Sequence, residues 1–259
     1  MQDELYYIKL FFPLDDEEIE DYLSKLFNTI SLNYNNDEFQ FAYMGLHLVF
    51  MTYIYNLIWQ ISKLNEEQFQ IASLFARPYN GSKFDFNNIK SVFDYKDLPE
   101  KEIINYLYLI GLDKSYIGIL KTQIEKRNSM AHASGTYDLI DINSYEPEKD
   151  NIISIIKNCS SLFNENLLIN YYVEGLIKWI NDNTMDHEDL EFFIDEYLIV
   201  TISVSPVQLK FISELSRNKI YKAMDSLKIE DKNKSQLYNF HLKISNVLKE
   251  KYLLNLFEN

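Results

Sequence analysis

FQFAYMGLHLVFMTYIYNLIWQI, residues 39–61, carries no charged side chain, and its reading decides the fold. A run of this length meets the bare criterion for a membrane span. Against that, His47, Thr52, Asn56, Gln60 and three tyrosines dilute the apolar character and the flanks carry charges of both signs. Nothing else in the chain resembles a span, so no membrane partner is expected. The expectation is a buried core helix that continues through Lys63 and stops before Glu66 and Glu67.

Working toward the amino terminus, acidic residues from Asp15 to Glu18 precede Ile19, Tyr22, Leu23, Leu26, Phe27 and Ile30. That spacing of three and four marks an amphipathic helix ending near Asn33–Asn36. Leu5 to Phe12 stays open between a short strand and a docking arm. On the other side, Pro78, Asn80, Gly81 and Pro99 concentrate breakers between residues 77 and 99, which predicts a loop with at most one short helix. Pro99 then opens a helix to Leu109, closed by Gly111. Asp113 caps a helix over Lys114–Ala133 that buries Tyr116, Ile117, Leu120 and Ile124, with Gly135 placed to end it.

The polar stretch Asp141–Asp150, with Pro147, is the candidate boundary between a helical core, residues 1–145, and a carboxy-terminal helical extension, residues 146–259. Within the extension, Ile152–Ile180, Leu190–Ile202, Pro206–Leu227 and Ser235–Phe257 show helical periodicity. Ile199–Val204 is β-branched enough to be a strand instead. Ser205-Pro206 is a helix start.

Composition agrees with an all-α class. Six Gly and five Pro in 259 residues are too few turn-makers for a sandwich or barrel. With 47% hydrophobic and 15% aromatic residues the chain can bury a core, which excludes a disordered polymer. The formal charge of −14 argues against broad electrostatic capture of nucleic acid, so any RNA would bind locally. Cys159 is alone and no leader opens the sequence, so a cytoplasmic location is expected and the Asn80-Gly81-Ser82 pattern carries little weight. There is no Gly-rich phosphate loop, nucleophile elbow or second cluster at metal spacing, and no cofactor or metal is expected.

The stretch with chemistry is Arg127-Asn128-Ser129-Met130-Ala131-His132, in the last turns of the helix that starts at Lys114. RNA cleavage by its own 2′-hydroxyl needs a base, an acid for the leaving 5′-oxygen, and positive charge on the phosphorane-like transition state. His132 suits proton transfer near neutrality, and the planar fork of Arg127 suits two non-bridging oxygens. Asn128 and His132 stand at i and i+4 on one face, where the amide can orient the imidazole. Arg127 lies about 140° away from His132 around the helix, so its side chain must reach round or the helix must break. Lys121 and Lys126 are candidate substrate-binding residues on the same element.

An Arg followed at once by a polar residue and, after four to six positions, by a His resembles the motif of HEPN ribonucleases. The resemblance implies a HEPN-like helical bundle and a metal-independent endoribonuclease of toxin or anti-phage type that acts on single-stranded RNA. It also implies a homodimer with a composite site, and an antitoxin or other regulatory partner. Small HEPN toxins carry a Tyr two residues after the His, where this chain has Ser134, so control through that tyrosine is not expected. The competing reading is a surface ion pair of Arg127 with Glu125 or another acid, and a His132 that merely ends a helix. A second functional reading is a non-catalytic HEPN-like nucleotide-binding or scaffold protein, in which Arg127 holds a phosphate and no cleavage follows, and the acidic charge favours it. A third reading, partner or DNA binding through Ser216-Arg217-Asn218-Lys219, rests on a short basic stretch. Among the other histidines, His47 is expected in the core or facing the site, His187 at a helix start, and His241 at the surface or in packing.

Overall fold

The structure, a computed structural model, describes residues 2–74, 76–78, 84–131, 141–181, 190–228, 234–254 and 256. Every element among the described residues is helical, with no strand, so the chain is all-α. It divides into two compact units, Met1–Lys9 with Glu17–Leu162, and Leu10–Asp16 with Phe163–Asn259. The division expected at 145/146 falls instead inside a helix, because Asp141 caps that helix by accepting from the Ser144 N–H at 2.9 Å and Tyr145, Ile152, Ile155 and Ile156 bury one face of it. Pro147 lies within this helix and does not end it.

The first unit comprises α1 (Gln2–Lys9), α2 (Glu17–Asn35), α3 (Phe39–Leu64), α4 (Glu66–Ser73), α5 (Glu100–Ile103), α6 (Lys114–Ala131) and all but the last residue of α7 (Ile142–Phe163). The segment left open between strand and arm is helical through Lys9. Helix α3 is the charge-free run, and 78% of its most apolar window is buried. Leu46, Val49, Phe50, Ile54, Ile58 and Ile61 are each essentially inaccessible, and each such side chain contributes about 1.5–3 kcal/mol. Two 3-10 turns, Phe86–Asn88 and Val92–Asp97, occupy the loop between α4 and α5.

The helix expected from Pro99 to Leu109 changes pitch: α5 is one turn, and Ile104–Ile110 winds as 3-10 helix before Gly111 ends it at φ 91°. The tighter winding aligns residues three apart. Ile104, Leu107 and Ile110, all fully buried, form that line.

The second unit holds α8 (Ile169–Asn181), α9 (Leu190–Phe192), α10 (Pro206–Ser213), α11 (Arg217–Ser226) and α12 (Lys234–Val247), with π-helical turns at Asn164–Leu168, Phe193–Val200 and Leu248–Tyr252. The β-branched run is helical through Ile202, the strand alternative being displaced by burial of Leu198 and Ile202. Tyr171 and Tyr197 stack at 4.5 Å, and each hydroxyl donates to the other's carbonyl, at 3.1 and 3.2 Å. Ser205 and Gln208 close a reciprocal cap on α10.

Candidate functional site

Helix α6 starts where expected: the Asp113 carboxylate accepts from the Tyr116 N–H at 2.8 Å. Ile117, Leu120 and Ile124 bury one face and fix its rotation. That rotation sends Gln123 and Arg127, at i and i+4, toward α3 and α5. Gln123 accepts from the buried Tyr43 hydroxyl at 3.4 Å, and Gln40 reaches the Met130 carbonyl at 3.5 Å. Residues 40, 43 and 47 of α3 share one stripe. A polar seam therefore runs between two helices whose packing is otherwise apolar.

At one point of this seam Arg127 donates through Nη2 to Oε2 of Glu100. Both side chains are half-buried, at 22% and 16% exposure. The same Glu100 oxygen lies 3.4 Å from Nε2 of His47, whose side chain is 1% exposed. That contact is within ion-pair reach but not aligned as a hydrogen bond. Both His47 ring nitrogens and Arg127 Nε are buried with no hydrogen-bond partner among the described residues. Burial pushes the Glu100 carboxyl upward, but His47 and Arg127 outweigh it and hold the group below the usual glutamate value. Glu100 is thus an anion at neutral pH with two basic side chains on one oxygen.

The expected site residues fall as follows. Arg127 is anchored by Glu100 and not by Glu125, which pairs with Lys101 at 2.6 Å. Asn128 is half-buried on α6. His132, with Ser134 and Gly135, lies outside the described residues, as do His187 and the Asn80-Gly81-Ser82 pattern. Lys126 is drawn to Glu148 at 2.5 Å, with its ammonium 5.8 Å from the Tyr43 ring centre. Lys121 is partly exposed and makes no ion pair among the described residues. Of the two lysines, only Lys121 is free of a carboxylate there.

Residues missed in the sequence are Glu100, which the chain order hides as a helix-start acid, and Tyr43 and Gln123. His241 is in packing: Tyr172 hydroxyl meets its Nδ1 at 2.9 Å and its Nε2 lies 3.2 Å from the Leu215 carbonyl. The Ser216–Lys219 stretch is a helix cap whose cations are occupied, Arg217 by Tyr221 and Lys219 by Glu165. Cys159 is fully buried with its thiol pushed up to about 12, which leaves it inert. No protein-family model, curated protein or solved structure matches the chain.

Proposed function

We propose that this chain is a metal-independent endoribonuclease of the HEPN type, acting on single-stranded RNA in the cytoplasm as a toxin or anti-phage effector. The observation that carries the proposal is Arg127 itself: the arginine of the motif is held by Glu100 at the end of a well-packed helix instead of trailing in solvent. A guanidinium fixed before substrate arrives needs no reorganisation to meet a developing phosphorane. Arg127 binds the non-bridging oxygens, His132 exchanges the proton, and Asn128 orients its imidazole. A second copy of the chain supplies the other acid–base group across a two-fold homodimer.

The test is incubation of the purified protein with single-stranded RNA in excess EDTA. Cleavage leaving a 2′,3′-cyclic phosphate, with DNA of the same sequence intact, is expected. Strict Mg²⁺ dependence or equal cutting of DNA overturns the mechanism. Sedimentation across a concentration series tests the composite site, which full activity from a monomer would remove.

A second reading, a non-catalytic nucleotide-binding or scaffold protein, is favoured by the formal charge of −14, which disfavours broad capture of RNA. It predicts that RNA is retained uncut and that His132→Ala changes nothing.

A further inference from the structure

We propose that Glu100 is a positioning residue for Arg127, and that His47 is the buried brace that fixes the Glu100 carboxylate. The inference rests on the ribonuclease reading for what Arg127 does, and on geometry for how it is held. A guanidinium has five N–H donors in a rigid plane. Glu100 engages Nη2, and Nε is covered, so the plane of the fork is set by a bond at one end and by packing at the other. The other terminal N–H groups make no hydrogen bond among the described residues and are the ones a phosphate would take.

The brace follows from burial. His47 is the one imidazole in a charge-free helical run, and it is packed against Phe50, with ring centres 6.1 Å apart. Its Nε2 faces the Glu100 oxygen that Arg127 uses. A surface ion pair needs no such neighbour, because water would solvate the carboxylate. Here the carboxylate is enclosed on the α3 side by that buried ring, so it cannot swing away from Arg127 without losing the contact to Nε2. Glu100 itself is the first residue of α5, which Pro99 precedes at φ −57°.

The experiment uses the full chain and its small arginine count: Arg77, Arg127 and Arg217 give three Nε–Hε signals in a proton–nitrogen NMR spectrum, and loss of one in Arg127→Lys assigns it. In the wild type the Arg127 signal is expected to exchange with water roughly tenfold or more slowly than that of the exposed Arg77, Arg217 Nε being itself bound to the Tyr221 hydroxyl, and Glu100→Gln is expected to speed that exchange several-fold by loosening the guanidinium. Fast exchange in the wild type, or unchanged protection in Glu100→Gln, overturns the proposal whatever the protein does to RNA.

Cleavage supplies the second readout: Glu100→Gln is expected to lower kcat by roughly tenfold or more with KM within about twofold. A rise in kcat makes Glu100 a competitor of the phosphate and overturns positioning. His47→Phe, which keeps the packing and removes the ring nitrogens, is expected to give the same two effects in weaker form, and it replaces Glu100→Gln if that variant fails to fold. A wild type that cuts no RNA, with Arg127 protected through Glu100, refutes the ribonuclease reading and leaves the positioning intact. A wild type that cuts RNA with kcat unmoved by Glu100→Gln does the reverse.

Discussion

Lowering the pH from about 7.5 to about 5 is expected to weaken the second unit through a single side chain, His241. Burial of the imidazole lowers its value to about 4 from 6.5, with Lys249 adding and the Leu215 carbonyl opposing. A base with a depressed folded-state value binds its proton more readily when unfolded. The stability it contributes is therefore fully present above about pH 6.5 and is lost as pH falls toward 4. Integrating between those two values gives a loss of about 2 kcal/mol at about pH 5. With a urea dependence of about 2 kcal/mol per molar, the midpoint moves by about 1 M.

His241→Leu removes the titration while losing the contacts to Tyr172 and Leu215, so it starts less stable. Its gap to the wild type is expected to narrow by about 2 kcal/mol over the same pH range. Trp179 lies in the second unit and Trp59, the other tryptophan, in the first, so fluorescence in a Trp59→Phe background reports on the second unit alone. Parallel acid curves for the wild type and His241→Leu would refute the argument, because carboxylates elsewhere would then account for the whole loss.

The remaining expectations concern the site and two local packing devices. Arg127→Lys is expected to lower RNA cleavage about a hundredfold, because an ammonium cannot reproduce the fork, and His132→Ala to reduce it to background, both with nearly unchanged helicity by circular dichroism. Gly175→Ala would drive a Cβ into the Tyr197 ring, so the Tyr171–Tyr197 pair must shift; a loss of about 1–3 kcal/mol in stability by urea unfolding is expected, with equal stability counting against the close approach. Ser205→Ala removes the acceptor for the Gln208 N–H and is expected to cost about 1 kcal/mol in thermal unfolding.

Much of the fold was legible in local sequence. The charge-free run from Phe39 became α3, the Asp113 cap and the Ser205-Pro206 start stand where the residues placed them, and the scarcity of turn-makers matched an all-helical chain. These features are short-range: caps and periodicity act within a few residues. Pitch was not legible in the same way. Ile104–Ile110 and Phe193–Val200 carry ordinary helical composition, yet one winds as 3-10 and the other as π helix.

By itself, the sequence determined that the chain is helical, that α3 is a core element, and that an arginine with a neighbouring polar residue ends α6. Only the tertiary structure decided what that arginine touches. Glu125, two residues away in the chain, pairs with Lys101, whereas Glu100, 27 positions back, holds Arg127, and His47, 80 positions back, stands behind it. The reason is rotational. Burial of Ile117, Leu120 and Ile124 turns the Arg127 face of α6 inward against α3 and α5, and a side chain pairs with what its helix face meets, however distant in sequence that group is.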